Sequence, residues 1–100
     1  MRKELTMSIA TTILSQIRLL DRWALGAWGA KDLITLPKGL SFKTSGAVKW
    51  KGTVTITLDE VNDLYVIKFT RLRKLNVIVD KIRDGVFVDD LVDIIDAQVG

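Results

Sequence analysis

Three groups of side chains in this sequence have the types and spacing to do chemistry. The first is carboxylates. Asp59, Glu60 and Asp63 crowd one short segment with Tyr65 beside them, and Asp89, Asp90, Asp93 and Asp96 recur at helical spacing. Three oxygens in a loop can hold a hard cation, but the first set lacks the EF-hand spacing and its glycine. The competing reading is a solvated turn in which Asp and Asn bond the backbone. Paired carboxylates for glycosidase-type chemistry need a cleft lined for substrate. Nothing around the second set provides one, so it reads as the solvated face of a helix.

The second group is cationic. Lys68, Arg71, Arg73, Lys74, Lys81 and Arg83 cluster on two neighbouring segments, and Lys49 and Lys51 flank Trp50. An aromatic beside phosphate-binding cations is how sheet-based nucleic-acid binders stack and hold their ligand. Against this, no RNP-like motif is present, and charges on exposed strands also protect sheet edges. The third group is the stretch DRWALGAWGAKDL, residues 21–33. Its Gly26 and Gly29 match neither dinucleotide-binding nor P-loop spacing, and Lys31 is misplaced for a phosphate lysine. Glycine and alanine here instead allow close packing, with Trp23 and Trp28 covering apolar surface in the core or at an interface.

The chain contains no histidine and no cysteine. That removes the commonest general base and metal ligand, every Ser–His–Asp or Cys–His arrangement, and any disulfide framework. Catalysis would rest on carboxylate, lysine or tyrosine, and an enzyme of that kind is the least supported reading. No cofactor or metal site is expected.

At 100 residues the chain fits a single domain, 1–100, with residues 1–7 read as a loosely ordered extension. Its apolar fraction of 48% is at the upper end of the globular range and suggests apolar surface shared with another chain. Net charge is +3, unevenly spread: residues 1–83 carry all 15 Lys and Arg, whereas residues 84–100 carry five aspartates and no base. That asymmetry fits an acidic last helix near a basic sheet, or a basic region that meets an acidic partner. The longest charge-free run, LTMSIATTILSQI, has 13 residues and is too short to span a bilayer. Arg2 and Lys3 ahead of it imitate a signal peptide, but Glu4 and the polar content argue against one. A cytoplasmic location without membrane contact is expected.

The elements that must position these groups follow from periodicity. Residues 8–20 predict an amphipathic helix, capped by Ser8, with Ile9, Ile13, Ile17 and Leu20 on one face. RWALGAWGAKD (22–32) reads as a second helix or a helical turn broken at the glycines. The period then changes to two. LITLP (33–37) reads as an edge strand, since Pro37 cannot sit in a central ladder. LSFKT (40–44), a turn at Ser45-Gly46, and the alternating AVKWK (47–51) follow. TVTITL (53–58) has the cleanest alternation, and LYVIKFTRL (64–72) places Tyr65, Ile67 and Phe69 inward. Arg71–Lys74 reads as a charged hairpin region, LNVIVDKI (75–82) as the last strand and Asp84-Gly85 as a turn. Residues 88–98 predict a final helix with Leu91, Ile94 and Ile95 as its apolar stripe. Successive strands with short connections make an antiparallel meander. The fold class is α+β: an N-terminal helix, a meander of four to five strands, and a C-terminal helix packed on one sheet face.

The order of several short segments resembles a family of small uncharacterised proteins encoded by tailed phages and prophages. The matching residues are Gly29, Ala30 and Lys31, then Leu40, Ser41 and Phe42, then Asp63, Leu64 and Tyr65, and last Gly85, Val86 and Phe87. The chain departs from that pattern around Trp23 and Trp28, and has Phe87 where tyrosine is usual. The resemblance implies a phage accessory context and brings no mechanism with it. The expectation is a non-enzymatic protein acting by contact with another protein or with itself as a homo-oligomer, through Trp23, Trp28 and Trp50. The alternative is nucleic-acid binding through Lys49, Lys51, Lys68, Arg71, Arg73 and Lys74.

Overall fold

Alternation decides the sheet. In β3 (Thr53–Asp59) Val54 and Ile56 are buried, while the intervening threonines are half-buried on the other side. The same period sends Leu40 and Phe42 of β2 (Gly39–Lys43) and Tyr65, Ile67 and Phe69 of β4 (Leu64–Arg73) to the same face. Cross-strand pairing holds these residues together: Leu40 faces Ile56, Phe42 faces Val54, and Val54 and Ile56 face Phe69 and Ile67. With β1 (Lys31–Leu36) and β5 (Asn76–Val86), five strands lie in the order β1-β2-β3-β4-β5, every pair antiparallel. The chain is α+β, as expected. The computed structural model describes the backbone of residues 2–100 and the side chains of residues 9–100.

Helices cover only the Leu40/Phe42 face. α1 (Arg2–Leu20) buries Ala10, Ile13 and Ile17. α3 (Leu91–Val99), entered through a 3₁₀ turn over Val88–Asp90, buries Leu91, Ile95 and Val99. Nine residues are too few for a stable isolated helix. Three fully buried side chains, each contributing about 1.5–3 kcal/mol, hold α3 in place. These residues join the inward strand residues, Ala24 and Trp28 in one core.

Five sequence expectations need correction. Ser8 is inside α1 rather than at its start, since the helix begins at Arg2 within the segment 1–7 that reads as a loosely ordered extension; the side chains of residues 1–8 lie outside the described set. Leu20 is exposed and Ile9 only half-buried; the buried stripe runs through Ala10, Ile13 and Ile17 and continues into Ala24 after the chain leaves the helix. On α3, Val99 completes the stripe and Ile94 is half-buried. Residues 47–51 form a loop, not a strand, although Val48 and Trp50 still point toward the core.

Asp84-Gly85 is the most instructive correction. It does not turn the chain. Tyr65 pairs with Val86 and Ile67 with Arg83, so β5 spends one extra residue here. Gly85 has φ +59°, the left-handed glycine that a bulge of this kind uses. A second bulge lies near Asp80, where the register shifts between Phe69 and Thr70. The actual turn of the β4–β5 hairpin is Lys74-Leu75, with Arg73 opposite Asn76.

Candidate contact surface

The opening glycine–tryptophan stretch resolves into a helix terminus. α2 (Ala24–Ala27) ends at Trp28, and Gly29 follows with φ +61°. The Ala30 N–H donates to the Leu25 carbonyl at 2.9 Å and the Gly29 N–H to the Gly26 carbonyl at 3.0 Å. This is a Schellman arrangement, which satisfies the orphan carbonyls of the last turn. Leu25 and Ala30, the two positions that such a terminus usually makes apolar, both pack against the core. Space is equally restrictive at Gly29: a Cβ there would run into the Ser45 carbonyl. Ser45 Oγ instead donates to the Gly29 carbonyl at 2.7 Å.

The three tryptophans consequently have three different fates. Trp28 is 1% exposed, stacks on Phe42 with centroids 6.0 Å apart, and donates Nε1–H to Asp96 Oδ1 at 3.2 Å. It is core, and cannot meet a partner. Trp50 lies half-buried in the 44–52 loop, its ring edge-on to Phe69, and donates Nε1–H to Asp80 Oδ2 at 2.8 Å. Trp23 alone is free, 71% exposed, with the Arg22 guanidinium 5.1 Å from its ring centre. Leu19 and Leu20 are exposed in the same corner.

The cations are split as well. Arg71 is bound to Asp80 through both Nε and Nη2. That guanidinium, and then the Trp50 N–H, hold the Asp80 carboxyl below the usual carboxylate range. Lys68 pairs with Thr55 and Ile82 and lies on the uncovered face. Arg73 lies at the end of β4 and Lys74 in the tip. Lys49 and Lys51 flank Trp50, whose ring is occupied by Phe69 and whose N–H is occupied by Asp80. The six candidates therefore do not form one groove, and the aromatic meant for base stacking is already engaged.

Sequence reasoning missed the polar groups that pin the loops. Thr44 is buried. Its Oγ1 accepts from the Gly52 N–H at 3.0 Å and donates to the Trp50 carbonyl at 3.2 Å. α3 docks on the same loop, since the Lys49 and Trp50 N–H groups reach the Val99 carbonyl. Asp59 organises its own turn, accepting from the Val61 N–H at 3.1 Å and the Asn62 side-chain amide at 2.9 Å. Those bonds, led by the Asn62 side chain, hold its carboxyl below the ordinary range. The solvated-turn reading of Asp59 fits this geometry. Among the described residues no group of three or more acids is placed to hold a metal, and no helix is long and apolar enough to cross a membrane.

The sheet face opposite the helices carries what the sequence did not single out. Leu72 pairs with Val77, Thr70 with Val79 and Lys68 with Ile82. All four apolar members of these pairs are exposed, and the row runs out to Leu75, 93% exposed at the tip. Lys74 (φ +50°) and Leu75 (φ +70°) both occupy the left-handed region. A two-residue hairpin turn of this kind favours Asn-Gly. Leucine there carries a backbone cost of about 1–2 kcal/mol. The chain matches no family model, no curated protein and no solved structure.

Proposed function

We propose that this protein acts without catalysis, by binding another protein through the outer face and tip of the β4–β5 hairpin. The observation that carries this reading is Leu75. A strained turn holds an almost fully exposed leucine at the end of an apolar row formed by Leu72, Val77, Val79 and Ile82. Backbone strain of this kind persists where something other than stability selects it. Apolar rows rimmed by polar groups are typical of contact surfaces. Lys68, paired with Ile82 on the same face, and Lys74 at the tip accompany the row, so the fitting partner presents apolar side chains with acidic neighbours. In the setting that the sequence resemblance suggests, the protein is a phage or prophage accessory factor working in the cytoplasm of the bacterial host.

A photo-crosslinking amino acid in place of Leu75 tests this in host cells. Val61, equally exposed in the opposite turn, is the control position. One discrete adduct from position 75 and none from position 61 supports the reading. A product of twice the protomer mass identifies the partner as a second copy. No adduct, or the same products from both positions, overturns it.

Nucleic acid is the second reading. What favours it is that Lys49, Lys51, Arg73 and Lys74 form no ion pair among the described residues. Phosphate contacts of this type weaken steeply with salt. Failure of a labelled oligonucleotide to change anisotropy at low salt ends it.

A further inference from the structure

At the other end of β4 a half-open cleft of about 190 Å³ lies between α1, β3, β4 and the lead into α3. Pockets for drug-sized ligands run to about 300–1,000 Å³, so this one has room for a single side chain. Leu58, Leu64, Phe87 and Val88 supply apolar walls. Phe87 is 62% exposed, a large aromatic left open to solvent beside the cleft. The polar part is Tyr65, whose hydroxyl donates to Gln16 Oε1 at 2.7 Å, together with the Asp63 carboxylate. Burial pushes the Tyr65 phenol up, and the charge of Asp63 adds to the effect. The phenol is therefore neutral, and the carboxylate lies close enough to act on it.

Two separate sequence segments converge here. Asp63-Leu64-Tyr65 begins β4 and Gly85-Val86-Phe87 ends β5, with Tyr65 paired to Val86. Each segment contains a left-handed residue, Asp63 at φ +56° and Gly85 at φ +59°. Asp63 forms no ion pair among the described residues. Asp89 and Asp90 follow Val88 directly and add two carboxylates beside the cleft wall, while Lys38, whose carbonyl receives the Leu58 N–H, is paired to Glu60.

We infer that this cleft binds one lysine or arginine side chain of a polypeptide, the aliphatic stem against Leu58, Leu64 and Phe87 and the cationic head at Asp63. Long basic side chains combine these two surfaces in this way, burying the stem and leaving the charge at the rim. Phe87 adds a ring face toward which a cation is attracted. The site stands apart from the hairpin contact and does not rest on it.

Amide chemical-shift titration tests the assignment with Nα-acetyl-lysine methylamide as probe and Nα-acetyl-norleucine methylamide as its uncharged counterpart. The lysine derivative is expected to give saturable shifts confined to residues around 58, 63–65 and 87–88, with the norleucine derivative about two- to fivefold weaker. Asp63→Asn is the variant of choice, because asparagine tolerates a positive φ and keeps the turn. In it the two probes should bind equally. Absence of saturable shifts, shifts spread over other surfaces, or equal binding of both probes to the unaltered protein overturns the inference.

Discussion

Trp50 reaches across the sheet to Asp80, its indole N–H 2.8 Å from the carboxylate that also receives Arg71. One carboxylate thereby ties three pieces of chain: the 44–52 loop, β4 and β5. The same loop holds the C-terminal end of α3 through the Val99 carbonyl. A surface ion pair is usually of little consequence. This one has a structural role because Asp80 sits at a bulge, where the ladder of the hairpin is interrupted.

This arrangement makes stability depend on acid. Asp80 has a folded-state pKa below its ordinary value, through Arg71 first and Trp50 second. A carboxylate depressed by folding contributes stability that is fully present above its unfolded pKa and is lost as pH falls through its folded pKa. Asp80→Asn should therefore lower the melting temperature at neutral pH. The gap from the unaltered protein should narrow as pH falls from the ordinary carboxylate range to below it. Asp59 is depressed for its own reasons and remains in both proteins, so it cancels in the comparison. Thermal melts of the two proteins over this range check it, and a gap that stays constant with pH contradicts it.

Trp28 should behave as a core residue and not as a contact residue. It is buried against Phe42 and anchors Asp96 of α3. Trp28→Ala should cost about 3–5 kcal/mol. Asp96→Ala should cost only about 0.5–1.5 kcal/mol, the usual net worth of one hydrogen bond. Urea unfolding measures both. Trp23→Ala, by contrast, should leave stability within about 0.5 kcal/mol, as surface substitutions do.

Alternation made the sheet legible. Val54 and Ile56 against Thr53, Thr55 and Thr57 fixed which face of β3 turns inward. The same signal misled at residues 47–51. There Val48 and Trp50 point inward from an irregular loop fixed by Thr44, and period two says nothing about whether a backbone is paired. Asp84-Gly85 misled for a related reason. A left-handed glycine serves a turn or a bulge equally well, and only the register of β4 against β5 distinguishes them. The exposed apolar row was hidden because it is cumulative. Leu72, Val77, Val79 and Ile82 are ordinary strand residues singly, and they form a row only once the hairpin register is known. Long-range polar ties such as Tyr65 to Gln16 have no local signature at all.

Two glycines that look equivalent in sequence should respond in opposite directions. Gly29 has a positive φ, and a Cβ there meets the Ser45 backbone. Gly29→Ala should destabilise by more than about 1 kcal/mol, because the backbone conformation is unsuited to it. Gly26 lies within α2, and a methyl group on its Cα would have no neighbour within 4 Å. Gly26→Ala should therefore stabilise by about 0.5–1 kcal/mol. Paired urea midpoints decide this, and a shift of the same sign in both would refute the helix-terminus account.

The hairpin tip offers a way to separate stability from contact. Lys74 and Leu75 both hold left-handed backbone conformations that Asn-Gly adopts without strain. Replacing them together, Lys74→Asn with Leu75→Gly, should raise stability by about 1–2 kcal/mol. In a domain of this size that is roughly 4–8 °C in melting temperature for each kcal/mol. The same exchange deletes the exposed leucine and its neighbouring cation, so a partner captured by crosslinking should bind the altered protein at least about tenfold more weakly, the loss expected when an interface anchor worth more than about 1.4 kcal/mol is removed. The two readouts move in opposite directions only if the strained turn is kept for contact. A variant that melts higher and binds its partner as before would show that Leu75 takes no part in recognition and would leave the row from Leu72 to Ile82 to account for the contact.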